Sequence, residues 1–293
     1  MAAAVTAVIN LLAITIMRNI FILLASLLAL IPLTSKAQTD VDLDPEFGGR
    51  VSVGLDKKII KGLHLTLEEE IRIDNNFSSF NRFHTTAALQ YKVLPYLKVG
   101  VGYALINPYS SSNNAFKDTR HRFMLDATGT VRFGLWQLSL KERFQITHRT
   151  GDFNTYQNPA NLMALKSRLT LKYKGLQRWT PYAYVELRNT LNAPVINASY
   201  NPTYNVYMTS SGSITGEAGW FLDGFSSCYI NRLRGSLGAD YKINRHNTLN
   251  LYILLDQVSD KVVDANAEGT KLKSYTREQG FVGQIGAAYE YSF

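Results

Sequence analysis

From Gln38 to Phe293 the chain holds no apolar run of 20 residues, yet apolar and polar side chains alternate almost throughout. Successive side chains of a strand point to opposite faces, so a period of two describes strands with one apolar and one polar surrounding. The last ten residues show the pattern at its clearest. Ile285, Ala287, Tyr289, Tyr291 and Phe293 share one face, and Gln284, Gly286, Ala288, Glu290 and Ser292 share the other. Strands that cross a membrane must close into a barrel, because every backbone group has to be paired inside the protein. A soluble β-sandwich also alternates, but its strands are usually shorter than the ~9–11 residues that span a bilayer obliquely.

Read in order, the alternation predicts strands over 47–56, 63–73, 82–92, 97–105, 120–133, 136–146, 165–173, 181–191, 229–243 and 249–255, and a closing strand to Phe293. Leu63, Leu65, Leu67, Ile71 and Ile73, for example, oppose His64, Thr66, Glu68, Glu70 and Arg72. Short turns at 57–62, Pro95, Gly134 and 244–247 alternate with longer loops at 107–117, 150–161, 192–226 and 257–276. Tight turns at one end and long loops at the other are the plan of an outer-membrane barrel. The expectation is an all-β, antiparallel, transmembrane up-and-down β-barrel of about 10–12 strands, in a single domain over residues 38–293. The eleven clear strands conflict with the even number found in single-chain bacterial barrels. Twelve is favoured and ten is the next choice: residues 40–44 form a short first strand, one apparent strand is not real, or 192–226 hides another.

The other end of the chain supplies an address. Met17-Arg18-Asn19 is a short basic start, residues 20–33 are nearly all apolar, and Ser35-Lys36-Ala37 sets small residues at a cleavage site. This reads as a secretory signal peptide over 1–37, with Gln38 as the mature start and Met17 as the natural first residue. The competing reading is a single transmembrane helix, which Arg18, Pro32 and Lys36 cut short. No Cys follows the apolar run, which excludes a lipid anchor there.

Composition fits export. Cys228 is the only cysteine, so no internal disulfide is available. The charge is 31 basic minus 23 acidic residues, or +8; without Arg18 and Lys36 it is 29 minus 23, or +6. A basic chain with 17 Tyr is a possible nucleic-acid binder, but the signal peptide and the strand-alternate placement of the cations argue against one.

The C-terminal stretch resembles the assembly signal of bacterial outer-membrane proteins, matched by Gln284, Gly286, Tyr289 and Tyr291 with Phe293 as an extra terminal ring. The mature chain also resembles an uncharacterised family of Gram-negative outer-membrane β-barrels, a domain of unknown function. That resemblance rests on Val51-Ser52-Val53-Gly54-Leu55-Asp56-Lys57-Lys58, Leu65-Thr66-Leu67-Glu68-Glu69-Glu70, Leu97-Lys98-Val99-Gly100-Val101-Gly102-Tyr103 and Lys141-Glu142-Arg143-Phe144. It implies fold and an outer-membrane location, with lipid and the barrel assembly machinery as partners, and it brings no catalytic residues.

Parity assigns Glu68, Glu70, Asp126, Glu186 and Asp256 to the lumen with Arg72, Arg82, Arg120, Arg122, Arg143, Arg168, Arg188, Arg232 and Arg234. Barrels of about 8 strands fill with side chains and those of about 16–18 leave a channel, so this lumen falls between an ion-paired plug and a narrow anion-favouring conduit. Glu69 and Glu142 fall on the apolar parity, where a bulge is the expected device to turn them inward. His84, His121 and His148 have hydroxyl neighbours, but no Gly-x-Ser-x-Gly elbow accompanies them. Asp264-Ala265-Asn266-Ala267-Glu268-Gly269 starts like a calcium loop, yet the twelfth position is Tyr275. The acids at 40, 42 and 44 read as a solvated leader. No residue is therefore assigned a catalytic, cofactor or metal role, and the expected function is non-enzymatic: structural or narrowly porin-like, with small anions in the lumen. A lipid-modifying hydrolase and a binding barrel are the alternatives, the latter using Tyr200, Tyr204, Tyr207, Trp220 and Phe221 of 192–226.

Overall fold

The structure is a computed structural model that describes residues 39–198, 200–201, 206–207, 220–267 and 272–293. The signal peptide expected over 1–37 lies outside the described residues. Eleven strands close the barrel. They are β1 (Glu46–Ile60), β2 (Leu63–Asp74), β3 (Ser79–Leu94), β4 (Leu97–Ser110), β5 (Arg120–Phe133), β6 (Trp136–Arg149), β7 (Asn161–Tyr173), β8 (Trp179–Ala198), β9 (Trp220–Lys242), β10 (Asn247–Ala265) and β11 (Leu272–Ser292). Neighbours in sequence pair antiparallel all the way round. Among the described residues no helix is long and apolar enough to cross a membrane.

The ring is closed by a parallel pair. β11 runs beside β1 from Val282↔Glu46 to Ser292↔Asp56. This resolves the count in a way that the favoured twelve strands did not foresee. With eleven strands the first and last run the same way, and a parallel ladder is the one pairing left. The short strand Thr39–Asp42 exists, but it also lies parallel to β11, at residues 276–279, and so adds no twelfth stave. Leu43 N–H still donates to Gln279 O at 2.6 Å, and the ladder then breaks at Pro45, which has no N–H to give.

Two further boundaries differ from the sequence reading. β1 continues through Lys57 and Lys58 to Ile60, leaving Lys61 and Gly62 as the turn, with Gly62 at φ +88°. Residues 192–226 are not all loop. β8 and β9 keep pairing as far as Ala198↔Trp220, through four register shifts, so this hairpin projects beyond its neighbours. Tyr200–Asn201 and Val206–Tyr207 pair above it, and Tyr204 lies outside the described residues.

Turns shorter than six residues join the strands at the end that holds Phe293, whose N–H donates to Asp56 O at 2.9 Å. The opposite end carries the longer connections. There the short 75–78 link is exceptional, and Asn75 and Asn76 take the left-handed conformation that their residue type tolerates.

The faces are inverted relative to a soluble domain. Leu125, Leu237, Ile253 and Ile285 are 56–59% exposed on the outside, whereas Gln145 and Asn231 are 1–2% exposed inside. Aromatic pairs gird the short-turn end: Trp136 with Tyr173, ring centroids 4.9 Å apart, Trp179 with Tyr241 at 4.6 Å and Tyr291 with Phe293 at 4.7 Å. Phe80, Phe83, Tyr109 and Phe116 cluster at the other end.

Candidate functional site

Two adjacent ladder rows wrap the inner wall across β5 to β10. One runs Thr128, Lys141, Arg168, Glu186, Arg234, Asp256, and the next runs Asp126, Arg143, Lys166, Arg188, Arg232. Side chains directly opposite on one face are cross-strand neighbours, so the register alone makes this a belt. It holds seven cations and three carboxylates.

Each carboxylate is shared. Asp126 accepts from Arg143 Nε and Nη2, both at 2.7 Å, and meets Lys141 Nζ at 2.8 Å. Glu186 takes Arg168 at 2.6 Å and Arg234 at 3.6 Å. Asp256 holds Arg234 bidentately at 2.6 and 2.7 Å, with Arg232 at 3.6 Å. On the far wall Glu70 binds Arg72 at 2.5 Å. Planar guanidinium and carboxylate groups in this geometry form strong, directional pairs.

The cations still outnumber the acids. Among the described residues Arg50, Arg122 and Lys166 have no carboxylate within ion-pair distance. Arg50 Nε donates to Gln284 Oε1 at 2.5 Å and Arg122 Nε to Thr147 Oγ1 at 3.0 Å. Nε of Arg188, Nε of Arg232 and Nε2 of His84 are buried with no protein partner.

All nine lumen arginines expected from parity sit on inward rows, as do the five acids. Sequence reasoning missed Arg50, because β1 received no face assignment, and left Lys141 and Lys166 out of the charge count. Their even or odd position beside Arg143 and Arg168 was the available signal.

A chamber of about 480 Å³ opens between the belt and β1–β4. Its far wall is low because Ala88, Gly102 and Ala104 point inward there. Ala104 is 1% exposed, pinned between Thr86 and Arg122 on its row. Toward the long-loop mouth the lumen is filled by Ile106, Gln145 and Asn231. There the 150–160 connection meets the end of β10. Asn154 donates to Ala265 O at 3.0 Å, and Gln157 to Asp264 Oδ1 at 2.6 Å.

The remaining sequence candidates are dispersed. His84 lies inside, its Nδ1 3.8 Å from Glu70. His121 bonds the Tyr103 hydroxyl at 2.6 Å and His148 bonds Asn161 at 2.9 Å, both on the outer parity. Asp264 accepts from Gln157, and Glu268 and Gly269 lie outside the described residues. No bulge turns Glu69 or Glu142 inward: the registers run unbroken through both, and they face out. Glu142 instead accepts from its cross-strand neighbour Ser167, Oγ to Oε2 at 2.6 Å.

Residues 51–205, more than half of the 293, match the sequence model of a family described as protein of unknown function (DUF2490). No curated protein matches the chain.

Proposed function

We propose that this chain, which belongs to the DUF2490 family of unknown function, is a non-enzymatic outer-membrane β-barrel whose hydrated, electropositive lumen favours anions and conducts them only narrowly. The carrying observation is the belt of seven cations on three shared carboxylates, next to a chamber rather than a packed core. A dry lumen would make the surplus cations costly, so water and mobile anions belong beside them.

The dimensions support a membrane setting. Phe133 and Phe123 both face outward on β5, near opposite ends. Ten residues at ~3.3 Å each, tilted by roughly 35–45°, rise about 23–27 Å, close to the ~25 Å apolar band of outer-membrane barrels. The aromatic pairs then sit at the two interfaces, with lipid as the outer partner and β11 as the strand presented to the assembly machinery. The Asn154 and Gln157 contacts across the mouth support a low conductance.

Purified protein in a planar bilayer tests this. The expected result is small currents whose reversal potential in a potassium chloride gradient favours chloride. Cation-selective currents would overturn the reading.

A further inference from the structure

Resting on that reading, we propose that the chamber is a binding site for one small oxyanion of the phosphate or phosphate-monoester class, held between Arg122 of β5 and Lys166 of β7.

Three observations converge on it. The first is room. The ~480 Å³ space exists because β3 and β4 present Ala88, Gly102 and Ala104 to the lumen where the opposite wall presents long cations. The second is charge. Eight cations line the chamber and four carboxylates do: Glu68, Glu70, Asp126 and Glu290. Glu186 and Asp256 of the belt bring the acids to six, and Arg188 and Arg232 of the same belt bring the cations to ten, so positive charge stays in excess and an anion would offset it.

The third is the state of the donors. Arg122 commits its Nε to Thr147, and its two terminal nitrogens meet no carboxylate within ion-pair distance. Lys166 Nζ has neither a hydrogen bond nor an ion pair among the described residues, although it stands on the row between Arg143 and Arg188. Glu186 attracts Lys166 from the neighbouring row, while Lys166 and Arg122 repel each other and both act on His84, as do Arg72 and Arg82. Like charges gathered in a poorly screened interior repel strongly unless a counter-charge joins them. A guanidinium fork on one side and an ammonium on the other suit a tetrahedral oxyanion with several acceptors better than a spherical halide. The chamber lies within the barrel wall, which points to a soluble anion rather than a lipid headgroup.

The test uses the full mature barrel refolded in detergent, with calorimetric titration and thermal unfolding in inorganic phosphate against sodium chloride at matched ionic strength. Phosphate is expected to saturate one site per barrel and to raise the unfolding temperature. Arg122→Gln and Lys166→Gln should each weaken binding about tenfold or more. Without phosphate both should be at least as stable as the parent, since each removes a buried cation with no carboxylate within ion-pair distance. Ala88→Leu keeps every charge and fills the chamber, and should abolish the saturable response; Arg245→Gln, in the β9–β10 turn, should leave it intact. Retention of the compact form on unheated gels shows which variants fold. If phosphate does no better than chloride while the currents still favour anions, the site is overturned and the wider reading stands. Cation-selective currents remove both. Loss of stability in Arg122→Gln and Lys166→Gln with an unchanged phosphate response would also overturn the site, by making these cations structural.

Discussion

Asp256→Asn is the sharpest probe of the belt. Asp256 is 2% exposed and holds two oxygen-to-nitrogen contacts to Arg234, at 2.6 and 2.7 Å, with Arg232 at 3.6 Å. The amide has the same shape but no charge, and it presents an NH₂ group to a guanidinium that can only donate. Breaking a buried pair by removing one partner costs about 3–5 kcal/mol. Glu186, 3.6 Å from Arg234, keeps part of the compensation, which places the expectation near the lower figure, about 3 kcal/mol. At ~1.4 kcal/mol per factor of ten, the ratio of folded to unfolded barrel falls by roughly a hundredfold. Urea unfolding in lipid vesicles, followed by tryptophan fluorescence, measures it. The double replacement Arg234→Met with Asp256→Leu should recover part of the loss, because it removes the stranded Arg234, while Arg232 still loses its carboxylate and Glu186 keeps only Arg168. A loss below about 1 kcal/mol would refute the reasoning. That is the value of a solvent-exposed pair, and it would mean that bulk water reaches the belt freely.

Other outcomes follow from the same geometry. Glu68→Gln should cost less than Asp256→Asn in the same unfolding assay, because Glu68 has no cation within ion-pair distance among the described residues. Glu142→Leu should stabilise the barrel in vesicles by about 0.5–1 kcal/mol, since a carboxylate on the apolar band is unfavourable even with Ser167 donating to it. Asn154→Ala with Gln157→Ala removes the contacts across the mouth and should raise single-channel conductance without changing its selectivity. Replacing Tyr289 and Tyr291 by Ser, or deleting Phe293, should lower the folded amount in membranes more than Gln284→Ala does, as judged by heat-modifiable gel migration.

Most of the wall was legible because alternation is local. Arg232 and Arg234 opposite Leu233 and Leu237 fix the two faces of β9 without knowledge of its neighbours. The partners were not legible. That Glu186 serves both Arg168 and Arg234 depends on registers between β7, β8 and β9, which parity does not determine. Glu68 looked like a partner by its position beside Glu70 and Arg72, yet Arg72 turns to Glu70 instead. The direction of closure was hidden for the same reason: it depends on pairing two strands from the far ends of the chain. The β8–β9 extension was read as loop, with a hidden strand in 192–226 as one of three options, because Asn, Ser, Gly and Tyr read as loop residues, while the ladder there is carried by backbone bonds through four register shifts.

The parallel seam sets the order in which this molecule can be built. Every other ladder among the eleven strands of the ring joins strands that follow one another, so each can form as a hairpin once its second arm is available. The seam joins residues 46–56 to residues 282–292, and each of its pairs is separated by 236 positions, as 282 minus 46 shows. Its entropic cost is met late, and its slanted hydrogen bonds are slightly weaker per residue than an antiparallel ladder. Until β11 has arrived, β1 is a bare edge able to take up a foreign strand. The first rung lost on heating, and the last to resist hydrogen exchange on refolding, should therefore be the amides of Ser52, Gly54 and Asp56, whose side of β1 faces β11 as the Phe293 N–H to Asp56 O bond shows.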